Sequence, residues 1–149
     1  MDVWDRETAL ARTTVAWGSA STVAGLAVAA ATRDPFWRSF GWQTAGWGVV
    51  DVGIAVVGRR LQERRMGRLP DPHAPEVQER ERRTLRKVLV VNVVADVGYV
   101  VLGAVLARHG RPKVAGSGVA IVVQGGFLLV HDSVHAVGAG AGATGTRGR

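Results

Sequence analysis

Four stretches of about 20 apolar residues, each bounded by charge, set the architecture: Thr13 to Thr32, Ser39 to Gly58, Val88 to Ala107 and Val114 to Ala136. At 1.5 Å per residue, such a stretch covers about 30 Å as a helix, the thickness of a bilayer core. The stretches are apolar on all faces rather than along one stripe. A soluble four-helix bundle would keep polar outer faces, so the pattern predicts spans in a membrane. Span one exceeds the apolar core of a secretory signal, and its amino-terminal flank mixes acidic and basic residues, so it is expected to be retained.

The spans differ in how readily each would insert. Span three carries nine valines and three leucines against Asp96. At about −0.3 to −0.6 kcal/mol per apolar residue and about +3 for a central aspartate, it inserts readily. Span two sets five valines, Ile54 and Phe40 against Asp51 and Gln43, which leaves it near neutral and dependent on its neighbours.

Charge then supplies the orientation. Fourteen of the 19 Lys and Arg lie in the amino-terminal flank, the 59–87 loop and the tail, which share one side of an even-spanning chain. The positive-inside rule therefore places both termini in the cytoplasm, with the protein in a cytoplasmic membrane. The outer connections around Asp34-Pro35 and Gly110-Arg111-Pro112 are tight enough for antiparallel hairpins alone. Trp37 and Trp42 fall at the outer boundary, where indole rings favour the headgroup layer.

The predicted fold class is thus an all-α integral membrane four-helix bundle of two antiparallel hairpins. One domain covers residues 1–137, and the Gly/Ala-rich tail 138–149 is expected to be disordered. Gly25 and Gly103, Gly41 and Gly118, and Gly48 and Gly125 recur at offsets of 78, 77 and 77. The offsets suggest an internal duplication into parallel repeats; chance alignment of glycine-rich helices is the alternative.

The cytoplasmic loop is broken at Pro70, Pro72 and Pro75, and its two arms have a composition that prolongs spans two and three as helices. Its basic residues, Arg59, Arg60, Arg64, Arg65, Arg68, Arg82, Arg83, Arg86 and Lys87, are candidates for contact with anionic lipid or a cytoplasmic protein. A simple topology determinant with a solvated face is the competing account. No aromatics interleave with them, so nucleic acid is not an expected partner.

Charged residues inside spans are the default place to seek function. Asp51 and Asp96 lie at similar depth. Asn92, Asp96, Tyr99 and Gly103 share one face of span three; Trp47, Asp51, Ile54 and Gly58 share one of span two; Gln124, Leu128, His131 and His135 share one of span four. The candidate intramembrane polar site is therefore Asp51, Asn92, Asp96, Tyr99, Gln124 and Asp132. No Lys or Arg within a span neutralises the carboxylates. A proton-linked site, a small-solute pocket or a cation site is the functional expectation, and interhelical contacts worth about 0.6 kcal/mol each are the structural one.

The composition narrows the chemistry further. With 47% hydrophobic residues and no cysteine among 149, disulfides, thiol nucleophiles and thiolate metal sites are excluded. His131 and His135 have the i, i+4 spacing of a zinc-protease helix, but a third ligand is not evident, and a helix-end role is the better reading. No nucleophile can be paired with a base, so no catalytic residue, metal or cofactor is expected, and the protein is read as a non-enzyme.

The segments Asn92-Val-Val-Ala-Asp96-Val-Gly98-Tyr99, Gly116-Ser-Gly118, Gln124-Gly-Gly-Phe-Leu-Leu-Val-His-Asp132 and Gly46-Trp47-Gly48-Val-Val-Asp51 resemble a family of small four-helix bacterial membrane proteins of unknown function. The resemblance runs from about Leu10 to Val137. It implies that Asn92, Asp96, Tyr99, Gln124 and Asp132 are signature positions and that His131 and His135 are not. It also implies asparagines near Gly48 and Asp51, which would make the pair of carboxylates peculiar to this chain. The resemblance implies a fold and a location but no activity.

Two function classes remain. One is a non-enzymatic structural or interaction protein with a polar core and a basic cytoplasmic loop. The alternative is a proton-linked small-solute transporter or binding protein with a pocket around Asp51 and Asp96, for which a homodimer would provide room.

Overall fold

The computed structural model describes residues 1–141, and these form four helices: α1 (Val3–Ala31), α2 (Pro35–Met66), α3 (Pro75–Ala107) and α4 (Pro112–Ala141). Proline opens three of them, where its missing N–H costs no hydrogen bond and its fixed φ suits the first turn. Asp34 accepts from the amides of Phe36 and Trp37, and Asp2 accepts from that of Trp4, so two helix starts are capped by carboxylates. The 59–87 loop is mostly helical, with α2 running on through Arg65 and α3 starting at Pro75; only residues 67–74 interrupt it. The tail expectation is revised at its start: α4 continues through Gly138 and Gly140 to Ala141, because nothing in this glycine-alanine stretch blocks the backbone ladder. The remainder of the tail lies outside the described residues.

Helices α1, α3 and α4 are long and apolar enough to cross a membrane. Helix α2 is equally long, but its apolar stretch is interrupted by Gln43, Thr44 and Asp51, in keeping with its near-neutral insertion balance. Helices α2 and α4 each pack against two neighbours, α2 against α1 and α4, and α4 against α2 and α3.

Glycine makes these contacts close. A Cβ on Gly25 would lie 2.5 Å from Gly41 O and Ala45 N, and one on Gly18 would lie 2.6 Å from Gly48 O. The α3–α4 contact repeats the device, with a Cβ on Gly103 falling 2.8 Å from Gly118 O and Val122 N. Between α2 and α4, Gly116 abuts the Phe36 carbonyl. Because the obstructing atoms are backbone, they cannot rotate away. Gly25→Leu is expected to lower stability by about 1–3 kcal/mol through overpacking. Gly53→Ala, with nothing within 4 Å of the new methyl, is expected to be neutral or mildly stabilising. Thermal melts of the two variants in one detergent check this.

The ends of α1 and α2 and the start of α3 are tied together around the proline break. Trp4 Nε1 donates to Pro72 O at 2.9 Å, Val3 N donates to Gln78 Oε1 at 2.9 Å, and Gln62 Nε2 donates to Trp4 O at 2.9 Å. Arg65 bridges Glu7 at 2.8 Å and Glu81 at 3.9 Å, joining three helices. Burial pushes the Glu7 carboxyl above its ordinary range even with the Arg65 guanidinium drawing it down. Burial acts the same way on Asp2, but there the hydrogen bonds from Trp4, His73 and Gln78 prevail and hold its carboxyl low.

Candidate functional site

Helices α2 and α3 do not pack closely, and the gap between them is a cleft of about 340 Å³. Five of the six expected site residues line it: Asp51, Asn92, Asp96, Tyr99 and Asp132. The cleft is layered along the helices. Trp47 and Tyr99 close one end, their rings 5.2 Å apart and nearly perpendicular at 83°. Asp51 and Asp96 form the next layer, one turn further along each helix, and Asn92, Thr14 and Asp132 follow. A second cavity of about 200 Å³, reaching Glu7, Arg59 and Gln62, shares Thr14, Ile54, Asn92 and Asp132 with the first. The two cavities thus adjoin between the arginine-rich end of the bundle and the two aspartates.

Both aspartates are 4% exposed. Among the described residues, Asp51 Oδ2, Asp96 Oδ2 and Trp47 Nε1 are buried without a hydrogen-bond partner. Neither Oδ2 atom reaches Asn92, Gln124 or the other carboxylate within hydrogen-bonding distance. Buried polar groups are nearly always paired, so three unmet atoms on residues that line one cleft set this part of the bundle apart.

Gln124 is the site residue that the structure moves elsewhere. It is 1% exposed, accepts from Trp17 Nε1 at 2.7 Å and donates to Ser21 Oγ at 3.2 Å. Trp17 in turn stacks on Phe127, with ring centroids 4.0 Å apart and planes within 8°. These residues fill the α1–α4 side of the bundle with a satisfied polar contact. Neither Trp17 nor Ser21 was among the candidate site residues read from the sequence. The available signal was the indole N–H of Trp17, a donor that a buried tryptophan must satisfy.

His131 also gains a role that sequence reasoning set aside. Its Nδ1 lies 2.9 Å from Asp132 Oδ1, and its ring stacks on Phe127 and lies tilted at 54° against the ring of His135. Among the described residues, no group of three or more histidine, aspartate or glutamate side chains is placed to hold a metal ion.

The basic candidates divide. Arg65 is committed to Glu7 and Glu81, Arg59 pairs with Glu63 at 3.2 Å, and Arg83 and Arg82 lie 2.7 and 3.9 Å from Glu79. Arg65 thereby ties three helices together. Arg60, Arg64, Arg68, Arg86 and Lys87 are exposed.

Fold and cleft together define a class: an all-helical four-helix protein, three of its helices apolar enough for a membrane, with a polar cleft between two of them. The chain belongs to a family of unknown function, DUF6992, whose family model matches residues 13–133. The match takes in every residue of the cleft. No curated protein and no solved structure matches the chain.

Proposed function

We propose that this protein is an integral membrane protein of a bacterial cytoplasmic membrane, with four antiparallel spans and both termini inside, and that it binds and moves a small solute in a proton-linked manner. The observation that carries the reading is the set of unpartnered buried atoms, Asp51 Oδ2, Asp96 Oδ2 and Trp47 Nε1, on one cleft. Aspartates serving only as interhelical contacts would be paired with each other or with Asn92. No nucleophile and base approach each other there, and the reading is non-enzymatic.

The membrane part is supported by the apolar exteriors of α1, α3 and α4 and by the concentration of Lys and Arg at one end. The hairpins are supported by their glycine register, since Gly18 faces Gly48 while Gly25 faces Gly41. Duplication is supported by the equivalent pairs Gly25–Gly41 and Gly103–Gly118, and by Ser39 Oγ lying 2.7 Å from Ser117 Oγ, 78 residues on. A residue meeting its own repeat-mate is what a two-fold axis between the halves requires. The exposed Asn92 and Tyr99 at the cleft mouth, and the small size of one chain, favour a homodimer.

Reconstituted into proteoliposomes, the protein is expected to accumulate a cleft-binding solute only when a pH difference is imposed, at several times the rate of protein-free vesicles. Uptake indifferent to the pH difference would remove the proton linkage. A second reading, a structural protein whose basic segment meets anionic lipid, draws on the exposed Arg60, Arg64, Arg68, Arg86 and Lys87.

A further inference from the structure

Resting on the reading of the cleft as a solute site, the geometry points to the chemical class of the solute: a small primary amine in its ammonium form, its N–H groups on Asp51 and Asp96 and its carbon skeleton against Trp47 and Tyr99. Carboxylates accept hydrogen bonds, so a ligand seated against Asp51 and Asp96 must bring donors. No Lys or Arg lines the cleft, whereas three aspartates do, and one of these, Asp132, already has His131 beside it. The uncompensated charge is therefore the Asp51–Asp96 layer.

A bare metal ion does not suit this layer. A metal gathers its ligands within about 2.0–2.6 Å of one point, and no such grouping occurs among the described residues. The volume of about 340 Å³ is that of a molecule, at the small end of ligand pockets. The apolar lining by Ile54 and Leu128, and the perpendicular indole and phenol rings, suit the methylenes and positive charge of an organic cation. A quaternary ammonium would sit against the rings but leave both carboxylates without donors. A primary ammonium offers three N–H groups. The unmet Trp47 Nε1 adds a preference for an acceptor elsewhere on the ligand, such as a hydroxyl.

The test uses the full chain in detergent at constant ionic strength and pH, titrated with ethanolamine, tetramethylammonium, ethylene glycol and acetate while heat of binding and thermal stability are followed. Ethanolamine is expected to bind saturably and raise the melting temperature. It should bind at least about tenfold more tightly than tetramethylammonium, the difference that charge-assisted hydrogen bonds supply, and glycol and acetate should leave the protein unchanged. Asp51→Asn and Asp96→Asn are each expected to weaken ethanolamine by about tenfold or more. Should either fail to fold, Val50→Trp provides the check, since Val50 is an exposed residue on the cleft wall and an indole there fills the space. Tetramethylammonium binding as tightly as ethanolamine would overturn the primary-amine assignment. Binding of glycol or acetate, abolished by Val50→Trp, would overturn the ammonium class and leave the solute site standing. Silence from all four probes would overturn the assignment, and unaltered solute uptake by Val50→Trp would take the cleft itself with it.

Discussion

The double variant Asp51→Asn, Asp96→Asn is expected to lose solute uptake altogether while its melting temperature holds or rises. Asparagine keeps the shape of each side chain and removes the negative charge and the titratable proton, while turning one acceptor oxygen into an N–H donor. Neither Oδ2 atom has a partner to lose, so no native contact is broken. Taking a carboxylate out of water is costly, and an amide in the same place costs less, which sets the sign of the stability change. Opposite movement of function and stability is the signature of residues kept for chemistry rather than for folding. Uptake in proteoliposomes and a thermal melt on the same preparations check it. A sharp fall in melting temperature in either single variant would make the aspartates structural and turn attention to the exposed arginines.

The fold was legible because its punctuation is chemical. Charges and prolines stand at every break, and the helix ends at Ala31, Pro35, Ala107 and Pro112 fall within a few residues of the span ends expected from charge alone. The cleft was legible on α2 and α3 for a related reason. Asn92, Asp96 and Tyr99 alternate steps of four and three, as do Trp47, Asp51 and Ile54, and such steps keep to one helical face. On α4 the expected stripe, Gln124, Leu128, His131 and His135, kept the same steps of four and three, but Gln124 to Asp132 is two steps of four, which drift by about 40° each at 3.6 residues per turn. Leu128 and Asp132 consequently face the cleft, while Gln124 turns toward Trp17 and Ser21 on α1. Periodicity identified the face; only the position of α4 between two neighbours decided which residue went to which. The same limit hid the unmet atoms, since whether two carboxylates touch depends on how far apart their helices stand.

That separation leads to the second large effect, on access. Because the chain contains no cysteine, single cysteines report without background. A cysteine at Asn92, where the two cavities meet, is expected to react with a membrane-impermeant thiol reagent supplied from the side that carries Arg59, and to be silent from the other. A cysteine at Ser39, near the Arg33 and Arg38 end, should show the reverse. The asymmetry follows from packing. Toward the Ser39 end the backbones meet at Gly25–Gly41, Gly103–Gly118 and Gly116–Phe36, and Trp47 against Tyr99 closes the cleft below them. Toward the Arg59 end, a second cavity that shares Asn92 and Asp132 with the cleft is lined by Glu7, Arg59 and Gln62 among apolar side chains. Reactivity at Asn92 from both sides would mean that the closed end opens under the conditions used. Reactivity with a lipid-permeant reagent alone would replace the route from the Arg59 end with a lateral one, through the exposed mouth between α2 and α3. A bound ethanolamine should slow the Asn92 reaction in the parent background and leave it unchanged when Asp96 is asparagine, tying the route to the site it serves.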